Sequence, residues 1–108
     1  MKLIISIVQD VDAEKLTEEI TKEGFRVTKM STTGGFLKSG NSTLLSGVED
    51  DKVKQYLTVV KNNAKTREVT KTIQTINIPG TAMLPMPIKV TVGGATSFVL
   101  NVEDFKRF

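Results

Sequence analysis

Residues 2–24 read KLIISIVQDVDAEKLTEEITKEG. Between Lys2 and Val8, Leu3, Ile5 and Ile7 fall on one face of an extended chain and Ile4 and Val8 on the other. Apolar side chains on both faces predict a central strand covered on both sides. Gln9 to Val11 is expected to turn, with Asp10 or Asp12 accepting hydrogen bonds from the free N–H groups of a starting helix. Ala13, Leu16 and Ile20 then recur at helical spacing among Glu and Lys, and Gly24 offers the left-handed stop that commonly ends a helix. The unit is strand, helix, stop.

The same unit recurs downstream. Phe25 to Thr32 alternates, with Phe25 and Val27 on one face and Arg26, Thr28 and Met30 on the other, which predicts a second strand. Thr43 to Val48 predicts a third. Glu49, Asp50 and Asp51 then open a second helix, where their charge suits the positive end of its dipole. A triple acidic run also fits a metal site, but no histidine or further clustered carboxylate supports that reading. Val53, Tyr56, Leu57 and Val60 form the helix's buried stripe. Periodicity fails over 66–87, TREVTKTIQTINIPGTAMLPMP, which holds all 3 prolines. Loops of that length are uncommon and often functional, though Glu68 to Ile78 has enough Thr, Ile and Val for an extra hairpin arm. Ile88 to Val92 reads as a fourth strand, Gly93-Gly94-Ala95 as a turn, and Thr96 to Val102 as a fifth strand, before a short tail from Asp104. The expected fold is α+β: a ferredoxin-like βαββαβ sheet, two helices on one face, and an added C-terminal strand. One domain over residues 1–108 is expected, with loops at about 32–42 and 66–87. Strands that are apolar on both faces leave one sheet face to bury, and a second copy of the chain is the simplest cover.

Composition narrows the function. The chain has no Cys and no His, so disulfides, thiolate metal sites and the commonest general base and zinc ligand are excluded. The opening MKLIISIVQD stays apolar for only about six residues, too short for a signal core or a membrane span, so a cytoplasmic location is expected. The net charge of +3 favours an anionic partner without naming one.

The segment 31–43, STTGGFLKSGNST, is long for a hairpin connection. Gly34-Gly35 can present successive backbone N–H groups to an anion, although neither the dinucleotide fingerprint nor the P-loop spacing is present. Arg26 suits phosphate and Thr28 adds a hydroxyl; equally, Arg26 suits a solvated sheet edge. Phe36 offers a ring for a base, worth ~1–3 kcal/mol of stacking, or an anchor for the loop. Asn41 matches the donor–acceptor edge of adenine, or a turn. Taken together, these residues point to a nucleotide-type ligand.

The run 25–48, FRVTKMSTTGGFLKSGNSTLLSGV, with 92–99, VGGATSFV, resembles the PII-like cyclic di-AMP receptor proteins of Firmicutes, and the likeness covers essentially the whole chain. The resemblance implies a homotrimer of ferredoxin-like, PII-like subunits that binds cyclic di-AMP in clefts between neighbours, without catalysis or a cofactor. Carried onto this chain, it implies that Arg26 and Thr28 contact the phosphate–ribose ring. Gly35, Phe36 and Leu37 would cover one base, Asn41 would read an adenine edge, and Gly47 would offer bare backbone. Gly94, Ala95 and Phe98 would line the cleft from the neighbouring subunit. The chain departs from the family between Lys65 and Pro87, where NIPGTAMLPMP replaces a Gly-Gly and Tyr-containing segment, and in a more basic C-terminal KRF.

The expected function is therefore a second-messenger receptor that signals through its two loops to an unidentified downstream protein. A nitrogen-regulator-type PII protein binding ATP shares the fold, but the loop between strands two and three is short here and lacks an obvious modifiable tyrosine. An RNA-binding sheet needs paired aromatics in a pattern this chain lacks. Neither a nucleic-acid polymer nor membrane insertion is expected, and the lack of His and Cys argues against an enzyme.

Overall fold

The computed structural model describes residues 1–32, 40–74 and 85–108. In chain order its elements are β1 (Lys2–Gln9), α1 (Asp10–Lys22), β2 (Thr28–Thr32), β3 (Asn41–Val48), a short 3-10 turn (Asp50–Lys52), α2 (Val53–Ala64), β4 (Arg67–Gln74), β5 (Pro85–Val92) and β6 (Ala95–Asn101). Among the described residues, four strands form a sheet in the order β2-β3-β1-β6, and β4 and β5 pair separately. Every neighbouring pair is antiparallel. The β1-α1-β2 unit is thus split by β3, as the ferredoxin-like plan requires.

The expected fold class stands, but the fourth strand comes from a different segment. Ile88 to Val92 belongs to β5, which among the described residues pairs with β4 alone, Val69 lying opposite Val90. The C-terminal strand β6 is the fourth sheet member, with Ile5 opposite Phe98, and is not an addition to a completed sheet. The added element is the β4-β5 arm inserted between α2 and β6. It occupies much of the 66–87 stretch expected to be loop, and its first strand follows the hairpin propensity of that stretch.

Alternation in β1 and β3 sets the core. Ile4, Val8, Leu44 and Val48 are buried beneath Leu16, Ile20, Tyr56 and Val60 of the two helices. Two serines on this face are paired, as buried hydroxyls must be: Ser6 Oγ lies 2.7 Å from Ser97 Oγ, and Tyr56 donates its hydroxyl to Ser46 Oγ at 2.8 Å. Tyr56 is fully buried and meets the edge of Phe25 with ring centroids 5.2 Å apart, a favoured aromatic geometry. Phe25 and Val27 pack against this core ahead of the strand ladder, which is why β2 begins at Thr28 and not at Phe25.

Among the described residues, no helix packs over the opposite face. The register aligns Leu3, Ile5 and Ile7 with Leu100, Phe98 and Thr96 on one side and with Gly47, Leu45 and Thr43 on the other. Met30, Phe98 and Leu100 are 42–44% exposed, so the strip is apolar and accessible.

The first turn of α1 does work that the sequence reading assigned to capping. The helix begins at Asp10, and its N-cap is Gln9, which makes no side-chain cap. Asp10 and Asp12 therefore sit inside the first turn and are free for other partners. Asp10 N–H donates to the Gly40 carbonyl at 3.0 Å, and Ser42 Oγ donates to Asp10 Oδ1 at 2.6 Å. Asp12, 5% exposed, accepts from Arg67 Nη2 at 2.6 Å and Nη1 at 3.2 Å. That pairing pushes the Arg67 guanidinium pKa upward. Gln9 Oε1 accepts from Gly93 N–H at 2.6 Å. One helical turn thus fixes the exit of the first loop and both roots of the arm. The acidic run before α2 is also used differently: Glu49 makes no side-chain cap, and Asp50 pairs with the N-terminal ammonium at 2.9 Å, which lowers its carboxyl pKa.

Candidate functional site

A cavity of about 950 Å³ opens where the chain leaves α1 and enters β2. Its walls include Arg26, Thr28 and Gly47, three of the residues singled out from the sequence. Arg26 and Thr28 are exposed, because Phe25 and Val27 turn inward and alternation sends their neighbours outward. Gly47 lies near the end of β3, opposite Leu3. A Cβ built on Gly47 meets only the Met1 Sδ, at 3.5 Å, an ordinary contact. Packing against the described residues therefore does not demand glycine there.

The remaining candidates lie elsewhere. Asn41 is the first residue of β3, paired with Gln9, and 4% exposed. It sits six residues from Gly47, about 20 Å at ~3.4 Å per residue. β2 runs away from Arg26 toward the first loop, so Arg26 and Asn41 stand at opposite ends of the sheet and do not converge within one chain. Ala95 pairs with Val8 at the Asn41 end. Phe98 lies on the open face, across from Ile5. Gly35, Phe36 and Leu37 lie outside the described residues.

The VGGAT glycines have a fold-level reason. Gly93 and Gly94 have φ of 86° and 104°, which L side chains rarely adopt. Gly94 N–H donates to the Ala64 carbonyl at 2.6 Å, and a Cβ on Gly93 would press within 2.5 Å of Arg67 Nη1 and the Lys65 carbonyl. Close packing and positive φ within the chain itself thus account for glycine in the turn that joins the arm to β6.

The sequence reading missed part of the cavity. Lys52 lines it, as do Phe105, Lys106 and Arg107 of the tail. The basic KRF ending was the one available signal for the tail residues. Four cationic side chains and two carboxylates, Glu23 and Glu49, line this space, so its charge favours an anion. The volume lies near the top of the ~300–1,000 Å³ range of small-molecule sites. Among the described residues, no group of three or more His, Cys, Asp or Glu could hold a metal. No helix among them is long and apolar enough to cross a membrane.

The sequence model of a family described as "Cyclic-di-AMP receptor" matches residues 1–108. A crystal structure of a functionally unknown protein from Pediococcus pentosaceus ATCC 25745 is 45% identical, with a TM-score of 0.80 over 99% of this chain and 96% of that one.

Proposed function

This chain belongs to the cyclic-di-AMP receptor family, and from that premise we propose that it is a homotrimeric second-messenger receptor that binds cyclic di-AMP where two subunits meet. The observation that carries the site is the grouping of Arg26, Thr28 and Gly47 around one cation-rich cavity. Arg26 grips a phosphodiester with its planar fork and Thr28 adds a hydroxyl. The bare backbone at Gly47 admits the ring of the dinucleotide. Gly35, Phe36 and Leu37 cover a base, and Asn41 reads an adenine edge.

Two features support a site shared between copies. The Arg26 and Asn41 ends of β3 are too far apart to serve as one pocket in one chain, and a neighbour's Asn41 end, with its Gly94, Ala95 and Phe98, supplies the missing wall. The open face of Ile5, Phe98 and Leu100 also needs an apolar cover, and closed symmetry among identical subunits provides one. Binding acts as a signal by favouring one arrangement of the segments at 32–42 and 66–87 over another, through differential affinity for the two. A downstream protein then reads the selected surface. The family is one of receptors, which supports recognition as the role.

Calorimetry with cyclic di-AMP, cyclic di-GMP and ATP tests this reading. The expected result is micromolar or tighter binding of cyclic di-AMP alone. Heat with ATP alone would instead support a nitrogen-regulator-type sensor, and silence with all three would remove the receptor reading.

A further inference from the structure

The start of α1 is held by segments other than its own. The first turn of a helix has N–H groups with no intrahelical partner, and among the described residues α1 has no side-chain N-cap. Instead, Asp10 N–H donates to the Gly40 carbonyl at 3.0 Å, and the Asp10 carboxylate accepts from Ser42 Oγ at 2.6 Å. Ser42 is 2% exposed, so its hydroxyl has little water to replace that bond. A Cβ on Gly40 would collide with the Asp10 carboxylate, so the loop exit and the helix start are in close contact. Within the same turn, Gln9 Oε1 accepts from Gly93 N–H at 2.6 Å, and Asp12 accepts from Arg67 at 2.6 and 3.2 Å. Arg67 Nη1 also donates to the Lys65 carbonyl at 3.2 Å, and Gly94 N–H to the Ala64 carbonyl at 2.6 Å. The two roots of the arm are therefore tied to α2 and to the start of α1 together.

We propose that the first turn of α1 is a coupling element with two states. Formed, it holds the exit of the first loop and the root of the β4-β5 arm; frayed, it releases both. The two segments share residues 9–12, so neither leaves without removing groups that fix the turn for the other. Loss of Gly40 and Ser42 takes the acceptor from Asp10 N–H and the donor from its carboxylate. Loss of Arg67 and Gly93 leaves the Asp12 carboxylate buried without its cation and frees the Gln9 side chain. Either loss shifts the turn toward its frayed state, and an element that two sites bias couples them. Among the described residues, β4 and β5 form their own sheet, so no strand ladder joins the arm to β3. A contact that steadies the exit of the first loop thus also steadies the arm. The proposal stands on the fold and does not need the receptor reading.

The test is residue-resolved amide hydrogen exchange by NMR on the full chain without ligand, under conditions where exchange reports opening equilibria. Gly93 N–H is the probe of the arm root and Asp10 N–H the probe of the loop exit. Ser42→Ala, outside the arm, should raise Gly93 exchange about fivefold or more. Arg67→Ala, or the milder Arg67→Gln where the first does not fold, should do the same at Asp10, because equilibrium coupling is reciprocal. Val60→Ala, a core change in α2, controls for general loss of stability and should affect both amides less. Exchange that rises only on the mutated side, in either variant, would overturn the proposal. So would a rise under Val60→Ala that matches theirs for the same loss of melting temperature. Cyclic di-AMP takes no part in this test, so its result and that of the calorimetry are independent.

Discussion

Replacing Arg67 by alanine should destabilise the protein more than replacing its partner, Asp12. The two make a bidentate pair at 2.6 and 3.2 Å, but their surroundings differ: the Asp12 side chain is 5% exposed and that of Arg67 36%. Arg67→Ala leaves a carboxylate buried without its cation, a change that costs about 3–5 kcal/mol in a fully buried pair. Asp12 lies in the first turn of α1, where the helix dipole offsets roughly 0.3–1 kcal/mol of that. The half-open surroundings of Arg67 lower it further, so about 2–3 kcal/mol is expected. Asp12→Ala strands a guanidinium that already reaches water, and about 1 kcal/mol is expected from the lost charge-assisted bonds. The double variant should therefore be more stable than Arg67→Ala alone. Urea unfolding at fixed protomer concentration measures all three, since oligomerisation would otherwise shift the midpoint. Hydrogen exchange over 67–74 should rise in both single variants as the arm root loosens. Equal losses in the two single variants, or a double variant at their sum, would refute the asymmetric-burial reasoning.

Three further outcomes follow from the packing. Burial pushes the Tyr56 phenol above its ordinary value of 10.0, against a smaller downward pull from the Ser46 hydrogen bond. The folded state therefore holds this proton more tightly than the unfolded chain, and stability present below pH ~10 is lost as pH rises toward the folded value. Tyr56→Phe should cost about 1 kcal/mol at neutral pH and flatten that alkaline decline in a pH series of denaturation curves. Gly94→Ala should destabilise by about 1 kcal/mol or more, because φ of 104° is strained for alanine, whereas Gly47→Ala should leave the melting temperature unchanged and weaken cyclic di-AMP binding. Ile5→Glu on the open face should shift sedimentation toward monomer; an unaltered oligomer would move the subunit interface elsewhere.

Much of the fold was legible because periodicity and breakers agreed. The double-faced β1, the Ala13-Leu16-Ile20 stripe, the Gly24 stop and the Tyr56 stripe each follow from local pattern, and the structure has them. Strand pairing was not legible in the same way. Ile88–Val92 and Ala95–Asn101 have similar alternation, and only the antiparallel register on β1 decides which one completes the sheet. Asp10 and Asp12 looked like caps because residue type does not say where the first helical turn begins; lying inside that turn, they instead hold the exit of the first loop and the Arg67 root of the arm.

The candidate site was legible in part. Arg26, Thr28 and Gly47 do share a cavity, but Asn41 stands at the far end of β3. Proximity in sequence across a strand of this length implies separation in space. The tail was harder to find, because Phe105, Lys106 and Arg107 follow no periodic pattern. Only the fold brings them beside Met1 and Gly47.

The most direct test is a crystal structure of the protein with cyclic di-AMP bound. The account predicts one phosphodiester on Arg26 and Thr28, backbone contact at Gly47, and a wall supplied by a second copy through its Gly94–Phe98 segment. Ligand held entirely by one chain, or bound away from the Arg26 cavity, would contradict it.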